Sequence, residues 1–479
     1  MNKEAFNFHE DEELIDAVHR YEEMTRNGVI GYFDVFEFEH IIDNFASLGQ
    51  FSLALDVANR ALEQHPTSFS ILFKKAHIFL NTGDISQALS ITENLLYIED
   101  TNHELYVLRG SCYLIVGEKE KANKNFNNAL KYSFENKDET LYNIGYVYEK
   151  CDYINKAISY FNEALIYNSQ NEVVLYELAY CYDKINENYK SLECYNRYLD
   201  IDPFSDTAWF NVGIVYNNLN EHRKAIKAYQ YALAINEDFP SAIYNIANSY
   251  LSIKKYDKAI EYLLNYLEHD ESSDEAYIMM VECYYHKREY NEALLNCQKA
   301  LDLNPKNDKA WYLLGLVSKM KKNFFKTLEC FNTALKLDPK NLDYIYSHAK
   351  ICSRLNYIND SISSYESLCE LMPFNPKYWL KFAKFLNDKG LKSVAIEKLE
   401  ESLLFVSDNP MILYRLAAYH LESSNNNVAL KILDEALSID FDRHKFFYRS
   451  FPEAILNRSV KKLITKYKNK KDREVKPIF

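Results

Sequence analysis

Apolar residues recur along this chain at spacings of three and four, the signature of amphipathic helices, and strict apolar–polar alternation is not sustained anywhere. Within that pattern, small residues return every 34 positions. Ile42, Ala76, Gly110, Gly145, Ala179, Gly213, Ala247, Val281, Gly315, Ala349, Ala383 and Ala417 form one track, with a single step of 35 between Gly110 and Gly145. A second track lies twelve residues later: Ala54, Ala88, Ala122, Ala157, Ser191, Ala225, Ala259, Ala293, Thr327, Ser361, Ala395 and Ala429. Two small-residue tracks at this offset predict pairs of helices that cross closely, because a large side chain at either crossing would force the backbones apart. Turn residues lie between the tracks, as in LNEHR and IKKYD. IDP (201–203), LNP (303–305) and LDP (337–339) follow the second helix, so Pro stops it and Asp or Asn is expected to cap the next.

The repeated unit is therefore helix–turn–helix, and its residues resemble the tetratricopeptide repeat (TPR) pattern W-x2-L-G-x2-Y followed by Ala, Phe, Ala and Pro. The fullest copy is Trp209, Val212, Gly213, Tyr216, Ala225, Tyr229 and Ala232; Trp311, Leu314, Gly315, Phe331, Ala334 and Pro339 form another. The chain resembles long soluble bacterial scaffold proteins of that family. The resemblance implies an all-α, right-handed α-α superhelical solenoid of about twelve helix pairs over residues 35–443, with a concave inner surface.

The flanks are expected to cap this array, since the ends of a repeat stack otherwise expose apolar surface. Residues 1–34 form an acidic N-terminal segment in which Leu14, Ala17, Val18, Tyr21 and Met24 share one face. Residues 444–479 supply a C-terminal helix with the apolar stripe Leu456, Val460, Leu463, Ile464 and Tyr467. Its opposite face carries Arg458, Lys461, Lys462 and Lys466, and a basic tail follows.

Composition narrows the function. With 48% hydrophobic and 26% charged residues the chain has material for a folded core, and only ten Gly and ten Pro fit short turns. It lacks a basic, apolar leader and a run long enough to cross a membrane, so a cytoplasmic location is expected. The net charge of −13 opposes nucleic-acid binding in general, and only the basic tail could draw RNA or an anionic membrane surface. Nine scattered cysteines without a CxxC pair read as reduced apolar fillers. No phosphate loop, dinucleotide fingerprint, nucleophile elbow or HExxH motif occurs; Glu282 and His286, one turn apart, supply two metal ligands without a third. No catalytic residue, metal, cofactor or small-molecule substrate is therefore expected, and the partners are expected to be proteins or peptide segments.

Residues that the packing pattern does not explain are the candidate binders. With the small residue of the first track set as position 8 of its helix, positions 4, 7, 8 and 11 share the packing seam, and positions 5, 6 and 9 point away from its centre. The family resemblance places that surface in the groove. Across repeats four to seven it would carry Tyr142, Asn143, Tyr146, Tyr176, Tyr180, Phe210, Asn211, Tyr244, Asn245 and Asn248. Aromatic faces pack side chains at small entropic cost and an Asn amide both donates to and accepts from peptide backbone, which suits an extended peptide. Repeats ten and eleven replace this theme with Lys350, Arg354, Lys377, Lys381 and Lys384, a possible basic sub-site for an acidic segment. A chaperone-type carboxylate clamp is not expected, because no position-5 Lys is followed by Asn at position 9.

Overall fold

The computed structural model describes residues 17–28 and 31–474, with side chains to residue 471. Among these residues it is all-α: twelve helix pairs follow one another, from Val35–Ser47 with Phe51–Gln64 to Pro410–Glu422 with Asn426–Ile439. The chain divides into two compact units, Met1–Ala242 and Ile243–Phe479. Repeats one to six lie in the first; the second begins within the first helix of repeat seven and continues through repeat twelve.

The first small-residue track marks where the two helices of a pair touch. A Cβ on Gly213 would stand 2.4 Å from Tyr229 Cε1; on Gly110, Gly145 and Gly315 it would stand 2.5, 2.7 and 2.5 Å from ring carbons of Phe126, Phe161 and Phe331. Each of these rings is almost wholly buried. The aromatic always lies sixteen residues after the glycine, so the second helix inserts a ring flat against the backbone of the first. Where the first-track residue is larger, the residue at that offset can be small: Ile42 with Ala58, and Val281 with Cys297.

The turns obey a period of their own that sequence reading missed. A residue with positive φ ends the first helix of every repeat: Gly49, Gly83, Gly117, Asp152, Asn186, Asn220, Lys254, Arg288, Lys322, Asn356, Gly390 and Ser424. The left-handed residue lets its own N–H and that of the next residue reach back to the helix, as when Lys322 N bonds Lys319 O and Asn323 N bonds Ser318 O, each at 3.0 Å. Only four of the twelve are glycine, so the motif is hidden in a list of residue types. At Lys322 the left-handed conformation carries a Cβ penalty. Lys322→Gly is expected to raise stability by about 0.5–1 kcal/mol, net of the extra chain entropy of glycine. Urea unfolding of the two proteins measures it, and an unchanged or lower midpoint would count against the account.

First helices start on Asn or Ser more than on Asp. Asn102, Asn171, Asn307, Asn341, Asn375 and Asn409, and Ser68, Ser205 and Ser273, each accept an N–H of their own first turn. In repeat six the cap is Ser205, and Asp206 instead accepts from Asn236 Nδ2 at 2.8 Å, tying the helix start to the end of the pair. The three tryptophans share one role. The indole N–H of Trp209, Trp311 and Trp379 donates to the carbonyl of Pro203, Pro305 and Pro373 at 3.0, 2.9 and 2.8 Å, fastening each first helix to the turn that precedes it.

The flanks pack against the arrays. Ala17 and Tyr21 are buried with Phe33, Phe38 and Phe45, and Val18 and Met24 pack on this cluster; Leu14 lies outside the described residues. After repeat twelve come His444–Ser450 and Arg458–Glu474, with Val460 and Ile464 buried and Leu463 and Tyr467 against them. Leu456 departs from the expected stripe. It ends the 3-10 turn Pro452–Leu456 and is exposed, because the turn before the helix points it outward. Of the basic face, Lys466 pairs with Asp434 at 3.5 Å, and farther along Lys471 pairs with Asp442.

Candidate interaction surface

In the first unit, repeats four, five and six open with Lys137–Lys150, Glu172–Lys184 and Asp206–Asn218. Their position-5 rings each give one face to the core. Tyr142 stacks on Phe161 with centroids 5.9 Å apart, Tyr176 meets Tyr195 and Tyr198 at 5.7 and 5.4 Å, and Phe210 meets Tyr229 and Phe239 at 5.6 and 4.9 Å. These are half-buried packing residues as well as surface.

Position 5 of one repeat also meets position 6 of the next. Asn211 Nδ2 donates to the Tyr176 hydroxyl at 2.8 Å. The same relation recurs in the second unit, where Tyr312 and Ser347 share a hydrogen bond of 3.1 Å and the Lys381 ammonium lies 3.6 Å from the Tyr346 ring centroid. One donor of Asn211 is thus committed to the neighbouring repeat, and its side chain also reaches the buried Tyr195 hydroxyl.

What stays outward in repeats four and five is Tyr146, Asn143 and Tyr180. Tyr146 is 37% exposed with the Lys150 ammonium 4.5 Å from its ring centroid, and Lys184 lies 5.2 Å from that of Tyr180. Half-buried Asn143 has no side-chain hydrogen bond among the described residues. Beside them lies a feature that sequence reading missed: Glu149 is buried, its Oε1 is 3.4 Å from Lys150 Nζ, and its carboxyl acts on that of Glu177 of the next repeat. Burial pushes the Glu177 carboxyl up to about 7, with the Glu149 carboxylate adding to the rise and Lys150 opposing it. Glu149 stands at position 12 of its first helix and Glu177 at position 6 of the next, 28 residues on, a different register from the Tyr176–Asn211 contact. Acidic letters in a chain rich in them gave no signal.

In the second unit, Tyr244 packs on Tyr266 at 5.2 Å and burial raises its hydroxyl pKa; Asn245 is half-buried and Asn248 exposed. Of the basic residues, Lys381 and Lys350 converge on the Tyr346 ring at 3.6 and 5.3 Å, and the Arg354 guanidinium covers Phe324 at 4.1 Å. Lys377 lies instead against Tyr378 at 5.9 Å, and Lys384 is exposed. Lys319 of repeat nine joins the group unanticipated.

Other chemistry-bearing groups are engaged in packing. Cys352 Sγ lies 3.4 Å from His348 Nε2, but burial pushes its thiol up to about 12 and lowers His348, the reverse of an activated Cys–His pair. The nine cysteines are free thiols, eight of them buried. Glu282 pairs with Lys309 at 2.7 Å and His286 stacks on Tyr256 at 5.2 Å, so the two do not converge on a metal. No group of three or more metal-ligating side chains occurs among the described residues. Nor is any described helix long and apolar enough to cross a membrane.

Periodic helix pairs with an aromatic and polar face, and no assembled catalytic group among the described residues, define a helical-repeat protein of the interaction type. Profiles described as "Tetratricopeptide repeat" match residues 138–171, 173–205, 207–239 and 244–308, and one described as "Anaphase-promoting complex, cyclosome, subunit 3" matches 286–368. The chain is a tetratricopeptide-repeat protein. A curated relative, the general transcriptional corepressor trfA of Dictyostelium discoideum, is 30% identical over 105 residues, which span 22% of this chain and 8% of that protein. Among solved structures, yeast Tom70 is 14% identical with a TM-score of 0.43, covering 83% of this chain and 98% of its own. YrrB, titled a TPR protein with an unusual peptide-binding site, is 23% identical with a TM-score of 0.35 over 40% of this chain and 97% of its own.

Proposed function

We propose that the protein is a non-enzymatic scaffold that binds an extended peptide segment of a partner protein along the first helices of repeats four to six, with residues 35–443 supplying the repeats and the flanks capping them. The observation that carries this reading is the outward Tyr146 beside the unengaged amide of Asn143, with Tyr180 on the adjacent first helix. Such a surface offers flat apolar area and unspent hydrogen-bonding capacity at repeat-spaced positions, which suits side chains and backbone of a strand-like ligand. Tyr176 and Asn211 lie on the same surface, joined by their mutual hydrogen bond. They are poor positions for a test, because truncating either removes an inter-repeat contact.

The cleaner test is Asn143→Ala with Tyr146→Ala. Peptides selected by the wild-type protein from a random-sequence library are expected to bind this double variant about tenfold more weakly, with an unchanged far-ultraviolet spectrum and melting curve. A library that yields no binder, or binders indifferent to the two substitutions, removes the proposal.

A further inference from the structure

The cationic group in the second unit lacks the carboxylate partners that some of the lysines around it have. Lys309, Lys326, Lys392 and Lys398 each reach a carboxylate within 3.4 Å. Lys319, Lys350, Arg354 and Lys381 form no ion pair among the described residues, although they come from three successive first helices, Asp308–Met320, Leu342–Arg354 and Pro376–Asp388. Two of the four share one tyrosine ring, and the ring's negative face is the only counter-charge they have there. Lys319 is half-buried, and its ammonium is pushed below the ordinary lysine range, first by burial and then by the Lys350 and Arg354 cations. Such an arrangement costs folding free energy, and an anion placed among the four would relieve it.

We infer that Lys319, Lys350, Arg354 and Lys381, drawn from three successive first helices with Lys350 and Lys381 on the Tyr346 ring, form a docking site for an acidic, Asp/Glu-rich segment of a partner protein. Carboxylates of such a segment would take the place of the missing counter-charges, and successive acidic side chains would meet successive first helices. A peptide fits better than a nucleic acid. The chain as a whole carries a net charge of −13, which opposes the binding of long polyanions in general, whereas a short acidic segment needs only the four cations. The site belongs to the second unit and uses none of the residues of the aromatic surface of repeats four to six.

The test is fluorescence anisotropy with a labelled oligoglutamate peptide on the full chain, with oligouridylate and oligolysine as competing probes. Oligoglutamate is expected to bind, more weakly as salt rises, with Lys319→Met and Lys381→Met each lowering affinity about tenfold. Lys227→Met, an exposed lysine of the first unit, should leave it unchanged. Lys319→Met should also melt no lower than wild type, because it removes an unpaired, half-buried charge; lost binding in a better-folded protein cannot be charged to misfolding. Absence of oligoglutamate binding, equal binding by the variants, or tighter binding of oligouridylate would each overturn the inference.

Discussion

Phe331→Ala is expected to destabilise repeat nine by about 3–5 kcal/mol, since it removes a fully buried ring and leaves a cavity between two helices. Gly315→Ala tests the same contact from the other side. In an ordinary helix interior, that change stabilises by up to about 1 kcal/mol. Here the new Cβ would stand 2.5 Å from Phe331 Cε1 and 3.2 Å from Cys330 Cβ, so the second helix must move or the ring must leave its rotamer. Overpacking of this kind costs about 1–3 kcal/mol, which reverses the sign of the propensity gain. In the double variant the alanine methyl enters space that the ring has vacated. Its cost is therefore expected to fall short of the sum of the singles by about 1–2 kcal/mol. Urea unfolding and amide exchange across residues 308–337 of the four proteins close the cycle, and strictly additive energies would show that the glycine and the ring are not coupled.

Glu177→Gln is expected to stabilise the protein by about 2 kcal/mol at pH 8 and to have little effect at pH 4. The Glu177 carboxyl stands near 7 in the folded chain against an ordinary 4.5, so the fold holds a proton that the unfolded chain has released. A raised acid pKa makes stability highest below about 4.5 and lowers it progressively as pH rises to about 7, beyond which the loss is complete. The full shift would convert to about 3 kcal/mol, reduced here because the group is partly solvated. A glutamine amide is uncharged at every pH, as the protonated acid is only below 7. Thermal melts of wild type and Glu177→Gln at pH 4, 6 and 8 should therefore diverge with rising pH, and parallel curves would remove the pair as the cause.

The repeat was legible because its constraint is local and steric. A crossing that admits only small side chains leaves a track of Gly, Ala and Ser at a fixed interval, and Trp209 and Trp311 stand at fixed offsets from it. The left-handed turns were not, since Lys254, Arg288 and Lys322 adopt a conformation that their side chains do not favour. The helix–turn–helix geometry imposes it. The candidate surface was half legible: facing away from the packing seam is a matter of helical period, and it selected Tyr146 together with Tyr176. Only one of them is chiefly outward, because Tyr176 is held by Tyr195, Tyr198 and Asn211.

By itself the sequence determined an all-α chain of twelve helix pairs, the register of those pairs, and the absence of recognised catalytic motifs, because each rests on periodicity or on residue types within one repeat. The tertiary structure decided what lies between residues of neighbouring repeats, 28 to 35 positions apart. It set Asn211 on Tyr176, Glu177 on Glu149 and Lys381 on Tyr346, and it drew Lys319 into a basic group that composition alone assigned to repeats ten and eleven. These pairings follow from how one first helix lies against the next, a relation between backbones that no single repeat encodes. The ionisation of Glu177 and Lys319 follows in turn from burial and neighbouring charge, which exist only once the helices are stacked.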